Sequence, residues 1–310
     1  MTTINPQNSA TSNCTVGLIG LGAMGNGMAQ SLRRAGYSPY VFDIRADVSA
    51  AFAKDGGTAC KSLAELGSSC DVIVSVVVNA AQTESVLFGE VGHDGCAATM
   101  KPGSVFVMCS TVDPNWSVAL EAKLAALGIL YIDAPISGGA AKAASGQMTM
   151  MTAGKPEAYA VAEPFLNAMA AKVYKLGDSA GAGSKVKIIN QLLAGVHIAA
   201  AAEAMALGLR EGVDPEALYE VITNSAGNSW MFENRMAHVL AADYTPLSAV
   251  DIFVKDLGIV LDMARATKFP LPLSSTAHQM FMQASTAGFA KEDDSAVIKI
   301  FPGIELPKKK

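Results

Sequence analysis

Gly20-Leu21-Gly22-Ala23-Met24-Gly25 is a Gly-x-Gly-x-x-Gly run set directly between a short β-prone run, Thr15–Ile19, and an amphipathic helical pattern. Glycines at those spacings let a strand-to-helix turn tighten and let backbone approach a pyrophosphate. The helix that follows offers that anion unpaired N–H groups and the positive end of its dipole. A glycine turn with no ligand has the same six residues, so the next β-prone run decides. Val41-Phe42-Asp43 ends in a carboxylate 18 residues after Gly25, where a dinucleotide-binding fold places the acid that hydrogen-bonds the adenosine ribose hydroxyls. That charge repels a 2′-phosphate, so the expected cofactor is NAD rather than NADP, with Arg45 two positions on as the one group able to pair with a phosphate.

A second glycine pair, in Ser137-Gly138-Gly139, follows another β-prone run. Ligands of open α/β sheets bind at strand ends, and a hydroxyl beside close backbone N–H groups suits a carboxylate; a plain glycine turn is the alternative. Taken in order, four segments resemble the β-hydroxyacid dehydrogenase (3-hydroxyisobutyrate dehydrogenase-like) family. They are Gly17–Gly25, Asp133-Ala134-Pro135-Ile136-Ser137-Gly138-Gly139, Gly181-Ala182-Gly183-Ser184-Lys185-Val186-Lys187-Ile188-Ile189-Asn190, and Lys255-Asp256-Leu257-Gly258. The resemblance runs from Val16 to about Phe301.

The resemblance implies an NAD-dependent oxidoreductase acting on a hydroxy acid, with Lys187 catalytic and Asn190 binding substrate. It implies a substrate anchor at Ser137, Gly138 and Gly139. Cofactor contacts are implied at Gly20, Leu21, Gly22, Ala23, Met24, Gly25 and Asp43, at Val77 and Val78, at Thr111 of Ser110-Thr111, and at Lys255. Physical chemistry agrees on Lys187: it is three residues from Asn190, hence on one helical face, near the positive end of a helix and in an apolar run. Desolvation there lowers an ammonium toward general-base range. A lone helix lysine is ordinarily a solvated surface charge, and Lys255 has a salt bridge to Asp251 or Asp256 open to it as well.

Two departures bear on pocket detail: Gln191 stands where the family usually has a second Asn, and Val77-Val78-Asn79 where many members have Leu-Pro. His197, two turns from Asn190, reads as packing or interface. The segments Asn224–Arg235, Asp243–Pro246 and Ser248–Gly258 resemble a subgroup that oxidises the C2 hydroxyl of a four-carbon sugar acid, with 3-hydroxyisobutyrate or tartronate semialdehyde chemistry, or an NAD-binding sensor without turnover, as the alternatives. Asn224, Ser225, Asn228 and Ser229 suit the extra hydroxyls of such a substrate, with helix capping as the alternative.

The elements that must position these groups come in two styles. β-prone runs at Thr15–Ile19, Pro39–Phe42, Val72–Val78, Val105–Met108, Leu130–Asp133 and Met148–Thr152 alternate with helical patterns near Gly25–Ala35, Ala80–Phe88, Val112–Ala126 and Pro156–Ala170. That predicts a Rossmann-type, doubly wound parallel sheet in an α/β domain over 14–177, with the uniformly apolar Val72–Val78 as a central strand. From 178 to 310 helical patterns follow one another, at Ala182–Glu211, Pro215–Thr223, Trp230–Ala241, Ser248–Thr267, Ser274–Ala287 and near Asp293–Ile300. The second domain is therefore expected to be all-α, concerned with substrate and oligomerisation, and residues 1–13 to be a polar disordered tail.

Composition closes off other classes. With 51% hydrophobic and 16% charged residues in a 310-residue chain, disorder is excluded. Twenty-three Lys and Arg against 28 Asp and Glu give a net charge of −5; with no basic stripe beyond Lys308-Lys309-Lys310, nucleic acid is a poor partner. Five scattered cysteines lack disulfide or zinc-ligand spacing, so no metal is expected and a reducing cytoplasm fits. Asn190, Gln191, His197 and Glu203 interrupt the most apolar stretch, which argues against a membrane span. The Ala- and Met-rich helical half points to a homodimer or homotetramer.

Overall fold

The computed structural model describes Cys14 to Val91 and His93 to Lys309; the tail expected over residues 1–13 lies outside the described residues. The elements fall into two units that divide between Ser184 and Lys185.

In the first unit the strands are β1 (Val16–Ile19), β2 (Tyr40–Phe42), β3 (Thr58–Ala59), β4 (Val72–Ser75), β5 (Val105–Met108), β6 (Leu130–Asp133), β7 (Ile136–Ser137), β8 (Met148–Gly154) and β9 (Ala170–Lys175). Between them lie α1 (Ala23–Arg34), α2 (Ala46–Lys54), α3 (Leu63–Ser69), α4 (Ala80–Phe88), α5 (Pro114–Ala125), α6 (Gly139–Ser145) and α7 (Pro156–Met169). The order β3-β2-β1-β4-β5-β6 is parallel throughout, with the chain reversing direction across the sheet at β1 and β4. All residues of β1, β4 and β5 are buried, because helices cover both faces of the sheet. One side is filled by Leu18, Met28, Val74, Val107 and Phe165, the other by Ile19, Leu66, Ile73, Phe106 and Leu124.

The sheet departs from the expected pattern in several places, beginning with the two-residue strands β3 and β7, too short to show as β-prone runs. β8 runs antiparallel to both β6 and β7, so the parallel core has a mixed edge. The central strand stops at Ser75, not Val78: the Val78 N–H donates to Gln82 Oε1 at 2.8 Å, and Asn79 Oδ1 caps α4 by accepting from the Gln82 N–H. The helix expected to reach Ala170 ends at Met169, and Ala170–Lys175 forms β9, pairing with β8. Its pattern escapes notice because Lys172 and Lys175 interrupt the apolar positions, as charges commonly do on edge strands.

The second unit is helical as expected: α8 (Ala182–Arg210), which begins in the first unit, then α9 (Pro215–Thr223), α10 (Trp230–Leu240), α11 (Val250–Ala266) and α12 (Pro272–Ala284), closed by a 3₁₀ segment at Asp294–Ile300. Asp214 and Ser229 cap α9 and α10 through their side-chain oxygens. Phe253 of α11 stacks on Phe281 of α12 at 5.1 Å, in one core with Ile198, Met205, Phe232 and Met236. α8 is long and apolar enough to span a membrane by composition, with half of its most apolar window buried.

Candidate active site

The turn after β1 shows what each glycine of the first motif does. Gly20 has φ +89°, and its N–H donates to the Phe42 carbonyl at 2.8 Å. A Cβ on Gly25 would overlap the Gly20 carbonyl oxygen, so a side chain there would push helix and turn apart. Gly22 is different: a Cβ would meet nothing within 4 Å. It is exposed at the N-cap of α1, a helix start with no side-chain cap and no acidic residue in its first turn. Open space beside uncapped N–H groups is what an approaching phosphate requires, so the residues present fit a dinucleotide.

Asp43, at the end of β2, is buried and already engaged. Oδ2 accepts from the Leu21 N–H at 2.7 Å and Oδ1 from the Arg45 N–H at 2.9 Å, with the Arg45 guanidinium at 3.1 Å. Burial works to raise the carboxyl, yet the Arg45 and Leu21 hydrogen bonds hold it below its usual value. A carboxylate accepts more than these bonds, so capacity for ribose hydroxyls remains. Val77 and Val78 follow β4, with Val78 exposed. Ser110 follows β5; its hydroxyl donates to the Val77 carbonyl at 2.7 Å, and Thr111 comes next.

Ser137 ends β7, and Gly138, at φ +135°, opens α6. Gly139 is exposed, and a Cβ there would again meet nothing within 4 Å. Four residues before Ser137, fully buried Asp133 accepts from the N–H groups of Gly181 and Ser184 at 2.9 Å each and from the Ser184 hydroxyl at 2.6 Å. It therefore caps the start of α8. The sequence reading passed over Asp133, although a carboxylate inside a motif that ends a strand was the available signal.

In the second unit Lys187 is only 7% exposed, whereas Lys185 is exposed. Burial pulls the Lys187 ammonium down to about 8, with Asp256 opposing and Lys255 assisting. Its Nζ donates to Gln191 Oε1 at 2.8 Å, and Asn190 Nδ2 donates to the same oxygen at 3.1 Å. Gln191 Nε2 donates to Asp256 Oδ2 at 2.6 Å, and Lys255 Nζ pairs with Asp256 Oδ1 at 2.5 Å. The amide that touches Lys187 is thus Gln191 and not Asn190, because positions four apart stack directly on a helix. Gln191 joins this cluster although the sequence marks it only as a family departure, and Asp256 although the sequence offers it only as a salt-bridge partner of Lys255. Lys255 makes the salt bridge to Asp256, while Asp251 accepts from Ser285.

The polar run before α10 is engaged locally. Asn224 and Ser225 donate back to the carbonyls of Glu220 and Val221, Asn228 donates to the Thr223 carbonyl, and Ser229 caps α10.

A family model described as the NAD binding domain of 6-phosphogluconate dehydrogenase matches residues 15–177, and one described as NAD-binding of NADP-dependent 3-hydroxyisobutyrate dehydrogenase matches 181–301. The chain is 68% identical over 294 residues to an L-threonate dehydrogenase of Cupriavidus necator, covering 95% of this chain and 98% of that protein. It is 51% identical to an L-threonate dehydrogenase of Haemophilus influenzae over 301 residues, covering 96% of this chain and 98% of that one. Among solved structures, one described as 3-hydroxyisobutyrate dehydrogenase from Salmonella typhimurium superposes with a TM-score of 0.89 at 53% identity, covering 93% of this chain and all of that one.

Proposed function

This chain belongs to the β-hydroxyacid dehydrogenase family and is an NAD-dependent hydroxyacid dehydrogenase; from that premise we propose that it oxidises the C2 hydroxyl of L-threonate to 2-dehydro-L-erythronate. The observation that carries the chemistry is Lys187, a buried lysine brought down to about 8 and hydrogen-bonded to a neutral amide rather than paired with a carboxylate. The match over nearly the whole chain to L-threonate dehydrogenases supports the substrate.

In this reading Ser137 and the backbone of Gly138 and Gly139 hold the substrate carboxylate, and Asn190 orients a hydroxyl. Neutral Lys187 Nζ accepts the C2 hydroxyl proton as the C2–O bond becomes a carbonyl. Gly20–Gly25, Asp43, Val77, Val78, Thr111 and Lys255 would hold NAD, which when bound would supply the acceptor for the C2 hydride. The four free cysteines buried in the first unit suit a reducing cytoplasm.

We propose a homo-oligomer through the helical half. Val186, Ile189, Leu193 and Leu207 line one exposed face of α8 at 41 to 62% exposure. Lys185 and Glu203, both exposed, stand five turns apart on it, about 27 Å. Antiparallel copies would set each Lys185 against the partner's Glu203.

The substrate is tested by following NADH formation with purified enzyme across four-carbon aldonates, 3-hydroxyisobutyrate and glycerate. Highest kcat/KM for L-threonate is expected. Preference for 3-hydroxyisobutyrate, the second reading that the Salmonella structure's description favours, would overturn it. Binding of NAD with no turnover of any hydroxy acid would point to a sensor.

A further inference from the structure

Asp256 is almost fully buried, and both of its oxygens are taken: Oδ1 by Lys255 and Oδ2 by the Gln191 amide nitrogen. A carboxylate only accepts, so it fixes which end of the Gln191 amide faces it: the NH₂ turns to Asp256 and the oxygen to Lys187 and Asn190. The buried charge of Asp256 is thereby balanced by Lys255, and Lys187, the other cation of the cluster, is met by an uncharged acceptor.

We propose that Gln191 is a positioning residue, a neutral spacer that keeps Lys187 out of an ion pair with Asp256 and so keeps it available as a proton acceptor. The inference rests on Lys187 being the base. The ionisable groups acting on Lys187 are Asp256, which favours its ammonium form, and Lys255, which disfavours it; both lie on α11. Its contact on α8, Gln191, is uncharged. Remove the amide and the Asp256 oxygen loses its donor while Nζ loses its neutral acceptor. The ammonium is then stabilised and proton acceptance suppressed at neutral pH. An asparagine at 191 is one carbon–carbon bond of about 1.5 Å shorter, which stretches the bridge from Lys187 to Asp256.

The experiment compares wild type, Gln191→Met, Gln191→Asn, the double variant Gln191→Met/Asp256→Asn, and Lys187→Ala. It records kcat and KM for the oxidation as a function of pH, with a thermal melt for each protein. Gln191→Met should move the rising limb of kcat/KM upward by roughly one pH unit or more, a tenfold change in proton affinity. Its activity should be depressed about tenfold near neutrality and recover at alkaline pH. Gln191→Asn should move it the same way by less. Removing the Asp256 charge in the double variant should bring the limb back to or below the wild-type position. A Gln191→Met profile with the wild-type midpoint, lowered equally at every pH, assigns Gln191 a merely structural part and overturns the proposal. So does a double variant whose limb stays displaced. An active Lys187→Ala enzyme would instead remove the base assignment itself, an outcome distinct from the other two.

Discussion

Asp133 and Ser184 are joined twice, the Ser184 hydroxyl and its backbone N–H both donating to the Asp133 carboxylate at 2.6 and 2.9 Å. With the Gly181 N–H on Oδ2, the oxygen that also accepts from the Ser184 N–H, one fully buried side chain satisfies two of the N–H groups that a helix start leaves without partners. The helix it caps carries Lys187. Asp133→Ala leaves those donors buried and unpaired and should cost roughly 2–4 kcal/mol of stability. Asp133→Asn preserves the acceptor for the two N–H groups and should cost about 1 kcal/mol. Denaturant unfolding of the three proteins checks the ranking; equal stability of wild type and alanine variant would dismiss the capping role.

Lys187→Ala should lower kcat by roughly 10²–10⁴, the worth of a positioned proton acceptor, and leave NAD affinity nearly intact, since the dinucleotide turn is built by the first unit. With Lys187 brought down to about 8, wild-type kcat/KM for oxidation should rise with pH through that value if, as proposed, the neutral amine is the acceptor. Lys185→Ala should change little. Steady-state rates across pH and fluorescence titration with NAD give both answers.

Asp43 is expected to set the cofactor choice. The enzyme should prefer NAD over NADP by at least about tenfold in kcat/KM, one unfavourable charge contact at the ribose being enough for that. Asp43→Asn should narrow the ratio. Because Asp43 also accepts from the Leu21 N–H, an unchanged ratio with lowered stability would make it a brace for the glycine turn alone.

The exposed face of α8 predicts a mass in solution that is a multiple of 32.0 kDa. Light scattering at micromolar protein measures it. Leu193→Asp, at 51% exposure in the single chain, should shift the distribution to monomer while leaving the monomer folded.

His238 and Asp293 provide a pH test of stability. Nδ1 of His238 lies 3.0 Å from Asp293 Oδ1; that hydrogen bond raises the histidine above its usual value, and Asp293 is held at about 2. A raised folded-state value means the imidazolium is favoured by folding. The pair therefore stabilises fully below about pH 6.5, as long as Asp293 is ionised, and the contribution fades as pH rises through the folded value. The gap in melting temperature between wild type and His238→Gln should be widest near about pH 5 and shrink toward alkaline pH. A gap that widens there would refute the pairing.

The order of residues specifies the parallel core, the glycine turn with Asp43 behind it, and the change from alternating elements to helices after Leu176. Those signals are local: spacing along a strand, a turn or one helical face shows in the order of residues. It also sets Lys187, in its apolar run, apart from Lys185, and the structure buries the one and exposes the other. The antiparallel course of β8 and the presence of β9 emerge from the folded chain, because strand direction and edge pairing depend on which segments meet across the sheet. It alone joined Asp133 to Ser184, 51 residues on. It alone joined Gln191 to Asp256, 65 residues on, converting a family departure with no evident meaning into the neighbour that sets the surroundings of Lys187. A hydrogen bond between residues so far apart leaves no periodic trace; desolvation and charge compensation arise only once both partners are buried together.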